Sequence, residues 1–190
     1  TLSAVTAEGT GTILGSADVD GLQAVLRGDL LRSAHEGYEA ARRVWNGNID
    51  RRPALIARCA GVADVQQAVN FARTHRLRVS VRGGGHSAPG HGTNDGGLVI
   101  DLSPMKGIRV DPRTRTAWAQ GGVLWRELDH ETQAFGLATT GGTVSNTGIA
   151  GLTLGGGLGW LMGKHGLTVD NLLSADVVTA DGQFRGASAT

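Results

Sequence analysis

The chain has 190 residues, enough for one ordinary domain or two small lobes with a real buried core. Its formal net charge is +1 with basic and acidic residues interspersed, which excludes the basic stripe of a nucleic-acid binder and the polybasic patch of a membrane-surface protein. Glycine is the unusual feature: 31 residues, about twice ordinary usage, clustered between apolar segments with no collagen-like period.

The first dozen residues are small and polar and read as loose. They lack the charged and apolar regions of a signal peptide, and no apolar run approaches the ~18 residues of a membrane helix. Asp18 to Arg27 and Glu36 to Trp45 read as short helices, and Ala54 to Cys59 as a buried strand. Val62, Val65, Val69 and Ala72 recur at helical spacing from Val62 to His75. Arg78 to Arg82 alternates with its valines inward, and Leu98 to Leu102 is a further strand. Strand, helix, strand, glycine loop and strand make an α/β layout. After Pro104 the texture changes. "GIRVDPRTRTAWAQGG" reads as a hairpin, and Val123 to Phe135 as an amphipathic helix carrying Leu124, Leu128 and Thr132 on one side. Residues 139–159 hold eight glycines and no charged side chain. Ala175 to Ala180 is an apolar strand leading into the "DGQ" turn, with no closing element after it. Cys59 is the single cysteine, in apolar surroundings, so the expectation is a buried thiol in a reducing, cytoplasmic protein with no cysteine metal cluster.

Two glycine-rich loops stand out. "SVRGGGHSAPGHG" (80–92) directly follows a strand, where backbone N–H groups can face an anion without Cβ interference. "GGTVSNTGIAGLTLGGGLGW" (141–160) repeats the design in the second half of the chain. Together they point to one extended ligand gripped from both sides, such as a dinucleotide; the plainer alternative is turns and packing alone. No G-x-G-x-x-G opens a helix with an acidic residue roughly twenty positions on, and Gly163-Lys164 lacks the flanking residues of a P-loop. His86 and His91 lack a third ligand beyond Asp95, so no metal is expected. Ser87 beside His86 is adjacency rather than a triad.

The segment "RPALIARCAGVADVQQAVNFARTHRLRVSVRGGGHS" (52–87) resembles the opening of the FAD-binding lobe of the vanillyl-alcohol-oxidase / p-cresol-methylhydroxylase superfamily. Within it, "GTVSNTGIAGLTLGGGLGWLMGKHGLTVDNLLSADVVTADG" (142–182) is similar to bacterial relatives of the berberine bridge enzyme. The implied fold class is α+β: a two-lobed FAD-binding domain with an N-terminal helical extension (1–51), an α/β lobe (52–103) and an incomplete α+β lobe (104–190). The resemblance implies that Gly83, Gly84 and Gly85 give N–H groups to the FAD pyrophosphate, and that His86 makes a single covalent link to the flavin 8α-methyl. Gly148, Gly151, Gly155, Gly156 and Gly159 would lie along the ribityl chain and pyrophosphate. Asn171 and Val177 would border the ADP portion. Arg82, Ser87, Gly142 and Val144 complete the implied cofactor-binding set, Arg82 being equally readable as a surface salt link.

The chain also departs from the family. Val144 and Ser145 stand where bicovalent members carry Cys-Pro, so double attachment is not implied. Leu152 replaces a histidine that contacts the cofactor in many members, and Thr147 lies near the position controlling oxygen access. The implied activity is hydride transfer from an alcohol, sugar or related C–H donor, with reoxidation by dioxygen. The implied partners are that small-molecule substrate and a complementary C-terminal fragment or domain, with no nucleic acid and no membrane. The catalytic base is unknown and expected outside the chain, which reads as a fragment because family members continue well beyond the "TADG" turn. A flavin-binding subunit without substrate chemistry of its own is the alternative. Tyr38, Trp118 and Trp125 are assigned to packing, and Lys164 and His165 to a solvated helix end.

Overall fold

The computed structural model describes residues 1–189. Its N-terminus, which reads as loose in the sequence, is a hairpin in which β1 (Leu2–Val5) pairs antiparallel with β2 (Gly11–Leu14). Ala4 and Leu14 are buried. Val5 donates its N–H to Gly96 O at 2.7 Å and accepts from Arg78 N at 3.0 Å. These backbone partners lie far away in sequence and order a stretch whose composition carries no signal.

Helix α1 (Ser16–Val25) buries Val19 and Leu22. Then come β3 (Asp29–Leu31), α2 (Tyr38–Arg42), β4 (Leu55–Arg58), α3 (Val62–Thr74), β5 (Val79–Arg82) and β6 (Leu98–Asp101). Helix α2 is shorter than its sequence pattern: Arg43 is already extended and Trp45 lies outside it. The sheet order is β3-β4-β6-β5, with β4, β6 and β5 parallel and β3 antiparallel at one edge. Strands β4 and β6 are buried on both faces, which is why they read as unbroken apolar runs. One face packs Leu55, Ala57, Leu98 and Ile100 against Val19, Leu22, Ala68 and Ala72; the other packs Ile56 and Val99 against Tyr38. The Tyr38 hydroxyl donates to Pro53 O at 2.6 Å. Residues 1–51 thus contribute three strands as well as two helices and share the core of the α/β lobe. Cys59 is fully buried, and burial pushes its thiol up to about 12.

The β5 valines correct the sequence reading. Val79 and Val81 are 42% and 56% exposed rather than inward. Their register partners Leu98 and Ile100 are core residues, but β5 is the outer strand and the core cluster stops at β6.

Asp64, in the first turn of α3, ties this lobe together. Burial pushes its carboxyl up, but N–H groups of Arg27, Ala60 and Gly28 donate to it at 2.8–3.1 Å and leave it below the usual range.

In the second half, β7 (Ile108–Asp111) and β8 (Thr116–Ala119) form the expected hairpin, and α4 (Trp125–Gln133) follows. Val123, Trp125 and Leu128 pack with Ile108, Ala119, Ile149 and Leu152. Trp118 is 51% exposed, against its assignment to packing. Helices α5 (Ile149–Leu154) and α6 (Met162–His165) lead through a 3-10 turn (Val169–Asn171) to β9 (Ser174–Val178). A closing strand does follow the "DGQ" turn: β10 (Phe184–Ser188) pairs antiparallel along β9. It is exposed throughout, so pairing rather than burial forms it, and no apolar alternation announces it. Gln66 Nε2 of α3 donates to Gly182 O at 2.9 Å and docks this hairpin on the first lobe. Among the described residues, no helix is long and apolar enough to cross a membrane.

Candidate cofactor site

Loop one leaves the sheet at Arg82, the last residue of β5, and turns at Gly85 (φ +72°), a conformation that favours glycine. A segment from the N-terminal region braces it. Trp45 N–H donates to Gly85 O at 3.0 Å, Asn46 Nδ2 to Ala88 O at 2.8 Å, and Arg51 Nη1 to Gly90 O at 2.8 Å. Ser87 Oγ accepts from His91 N at 3.1 Å. Among the described residues, the N–H groups of Gly83, Gly84, Gly85, His86 and Ser87 donate to no acceptor in the chain. Consecutive free N–H groups at a strand end are donors for an anion.

The two glycine loops touch. A Cβ on Gly84 would lie 2.3 Å from Gly148 N and 2.6 Å from Gly148 Cα; one on Gly148 would lie 2.4 Å from Gly84 N. Any side chain at either position would force the loops apart. The contact sits where α4 and α5 begin, since Trp125 N donates to Thr147 O at 3.0 Å and Ile149 N to Val123 O at 2.9 Å. Gly83 also faces the second half of the chain, its Cβ position lying 2.9 Å from Gly121 O.

Side chains add two features. Arg82 donates through Nη1 to Ala41 O and makes no ion pair among the described residues, so the surface salt link is not formed; its buried Nε has no partner. The His86 imidazole stacks on Trp45, ring centroids 5.5 Å apart and planes within 19°. Burial lowers its pKa, which favours the neutral ring. His86 and His91 belong to no group of three ligating side chains among the described residues.

The remaining implied positions fall into three sets. Gly142 is packed between Leu152 and Trp125, whose buried Nε1 has no partner, while Val144 is half exposed. Leu152 therefore serves the small second core. Gly151 lies in α5 with open space at its Cβ position, Gly155 caps that helix, and Gly156 has φ +101°. Gly159 is pressed against Gly141 O, 1.5 Å from its Cβ position. Asn171 and Val177 stand apart from the loop contact. Asn171 Nδ2 donates to His165 O and Leu167 O, and Val177 lies on the hairpin docked on α3. Asp170 turns the chain there by accepting from Leu167 N at 2.8 Å. Sequence reasoning missed Trp45, Asn46 and Arg51, the braces of loop one. The available signal was "VWNGN", an aromatic residue set among turn formers at the end of a helix-like stretch. A cleft of about 490 Å³ lined by Arg51, Arg78, Ser80, His91 and Thr93 opens at the other end of β5 and contains none of the loop glycines.

Comparison with known proteins identifies the family. Residues 53–188 match the family model described as FAD binding domain. The chain is 41% identical over 157 residues to (R)-6-hydroxynicotine oxidase of Paenarthrobacter nicotinovorans, covering 83% of this chain and 34% of that protein. It is 36% identical to berberine bridge enzyme-like 27 of Arabidopsis thaliana, covering 70% of this chain and 26% of the relative. The crystal structure of 6-hydroxy-D-nicotine oxidase from Arthrobacter nicotinovorans superposes with TM-score 0.84 at 40% identity, over 86% of this chain and 36% of that one. The chain spans about a third of the length of the curated relatives it matches. The chain belongs to the FAD-binding domain family, among the berberine-bridge-enzyme-like members of the vanillyl-alcohol-oxidase / p-cresol-methylhydroxylase superfamily.

Proposed function

We propose that this chain holds FAD across its two glycine loops and is the cofactor-binding part of a cytoplasmic oxidoreductase. The enzyme takes a hydride from an alcohol, sugar or related C–H donor and passes the electrons to dioxygen. The backbone contact between Gly84 and Gly148 carries this reading, because it joins two glycine-rich segments from separate halves of the chain at one place. The residues present fit the cofactor. Free N–H groups of residues 83–87 match an anionic pyrophosphate, and the buried Arg82 Nε and Trp125 Nε1 are donors awaiting acceptors. When bound, the flavin supplies the hydride acceptor; the protein supplies orientation and electrostatics.

Each residue then has a stated task. Gly83, Gly84, Gly85 and Ser87 bind the pyrophosphate through backbone N–H, with Arg82 offsetting its charge. Gly142, Val144, Gly148, Gly151, Gly155, Gly156 and Gly159 let the second loop lie against the cofactor, and Asn171 and Val177 border its ADP end. His86 offers a neutral ring nitrogen for a single covalent link to the 8α-methyl. The lobes at 52–103 and 104–190 close on the cofactor from two sides. The base that takes the substrate's proton lies outside this chain. The test, on the protein expressed from its complete gene, is FAD binding followed by hydrogen peroxide release under air with panels of alcohols, sugars and cyclic amines. Turnover supports the reading. FAD bound with no turnover of any donor favours a flavin-binding part without substrate chemistry. No binding of FAD sinks both.

A further inference from the structure

We propose that Trp45 is the positioning residue for His86: its indole face seats the imidazole ring and shields it from water, presenting the ring for flavin attachment. This rests on the reading of loop one as a flavin-linking loop. The rings lie 5.5 Å apart at 19°, an offset-stacked arrangement. The backbone around them is fixed on both sides of His86, by Trp45 N–H on Gly85 O at 3.0 Å and by Asn46 Nδ2 on Ala88 O at 2.8 Å. Trp45 is itself 66% exposed, so the core gains little from it. Among the described residues its one ring partner is His86.

The stack also governs which protonation state is present. Attachment needs a neutral imidazole, because only an unprotonated nitrogen has a lone pair to share. Burial holds the His86 pKa below its ordinary value, and no charged group contributes. The titratable and charged side chains on the packed elements are Arg82 and His91 on its own loop and Arg42, Arg43, Asp50 and Arg51 on the Trp45 segment; residues 139–159 bring none. Arg42 is paired with Glu39 and Asp50. His86 would supply the lone pair for the new C–N bond and release the proton on its other nitrogen; bound flavin would supply the 8α-methyl carbon, give up one methyl proton and take the electron pair of that C–H bond, with dioxygen as the final acceptor of the two electrons, leaving as hydrogen peroxide.

The experiment uses the protein expressed from its complete gene as parent, Trp45→Phe and Trp45→Ala, loaded with FAD across a pH series. Covalent flavin is read by denaturing mass spectrometry. Trp45→Phe, which keeps an aromatic face, attaches flavin as the parent does. Trp45→Ala attaches it roughly 10- to 100-fold more slowly. Its pH midpoint moves upward, because a solvated imidazole stays protonated to higher pH. In the flavin-free protein, NMR titration shows the His86 ring protonating at higher pH in Trp45→Ala than in the parent. Equal attachment in Trp45→Ala and parent overturns the proposal and leaves the covalent reading standing. So does a loss of equal size at every pH that Phe does not restore, since that marks a folding role. A parent with no covalent flavin overturns the reading and this assignment together.

Discussion

Replacing Gly84 by alanine tests the loop contact at one atom. The new Cβ would lie 2.3 Å from Gly148 N, where ordinary contacts are 3.4–4 Å, so the loops must separate by about 1 Å. The atoms in the way are backbone, which cannot swing aside as a flexible side chain does. Gly84 is not among the positive-φ residues, so the cost is one of overpacking rather than conformation. Overpacking of this kind costs about 1–3 kcal/mol, and each kcal/mol lowers Tm by roughly 2–4 °C for a domain of this size. The effect on FAD is larger than on folding. A shift of that size takes N–H groups out of reach of the pyrophosphate, and a hydrogen bond to a charged group contributes about 1.5–3 kcal/mol, roughly tenfold or more in affinity. The assay is FAD titration in a His86→Ala background, where no covalent link masks the affinity, with thermal unfolding alongside. Gly21→Ala in α1 is the control: nothing lies within 4 Å of its Cβ position, and a helical Gly-to-Ala change stabilises by about 0.5–1 kcal/mol. Unchanged FAD affinity and Tm in Gly84→Ala would show that Gly84 and Gly148 do not meet as closely as this and do not hold the pyrophosphate site in place.

Gly151→Ala separates packing from cofactor approach. No atom of the chain meets its Cβ position, so the helical substitution raises stability by about 0.5–1 kcal/mol while weakening FAD, as read by melting and FAD titration on one sample. Gain of stability with intact FAD affinity would remove Gly151 from the cofactor surface. Asp64→Asn lowers stability near pH 7 by about 1–3 kcal/mol, because one amide cannot accept from all three N–H groups. The Asp64 pKa is depressed in the folded state, so its contribution is full above the unfolded value near 3.9 and is lost as pH falls through the folded value. Chemical unfolding between pH 3 and 7 should therefore show parent and variant converging in acid. A constant gap would contradict the assignment.

Legibility in the sequence followed the source of order. Helix α3 and strands β4 and β6 draw their order from apolar burial, and their periodicity revealed them. The hairpin of β7 and β8 was readable from its "DPRT" turn. The β1–β2 hairpin and β10 are held by backbone pairing, which leaves little trace in side-chain pattern. The inward reading of Val79 and Val81 failed because alternation reports a face, and whether that face is covered depends on which strand lies at the edge. At the site, the glycines signalled close approach, and Gly84 and Gly148 supply it. Gly84 meeting Gly148, or Trp45 meeting His86, could not be read from spacing, because residues 64 and 41 positions apart meet only through the fold.

Flavin attachment at His86 is tested most directly by denaturing mass spectrometry of the purified protein, with a digest across the peptide that contains His86. The expected result is a flavin mass retained on that peptide and released by His86→Ala. A protein that remains colourless and keeps its bare mass after loading with FAD would contradict it.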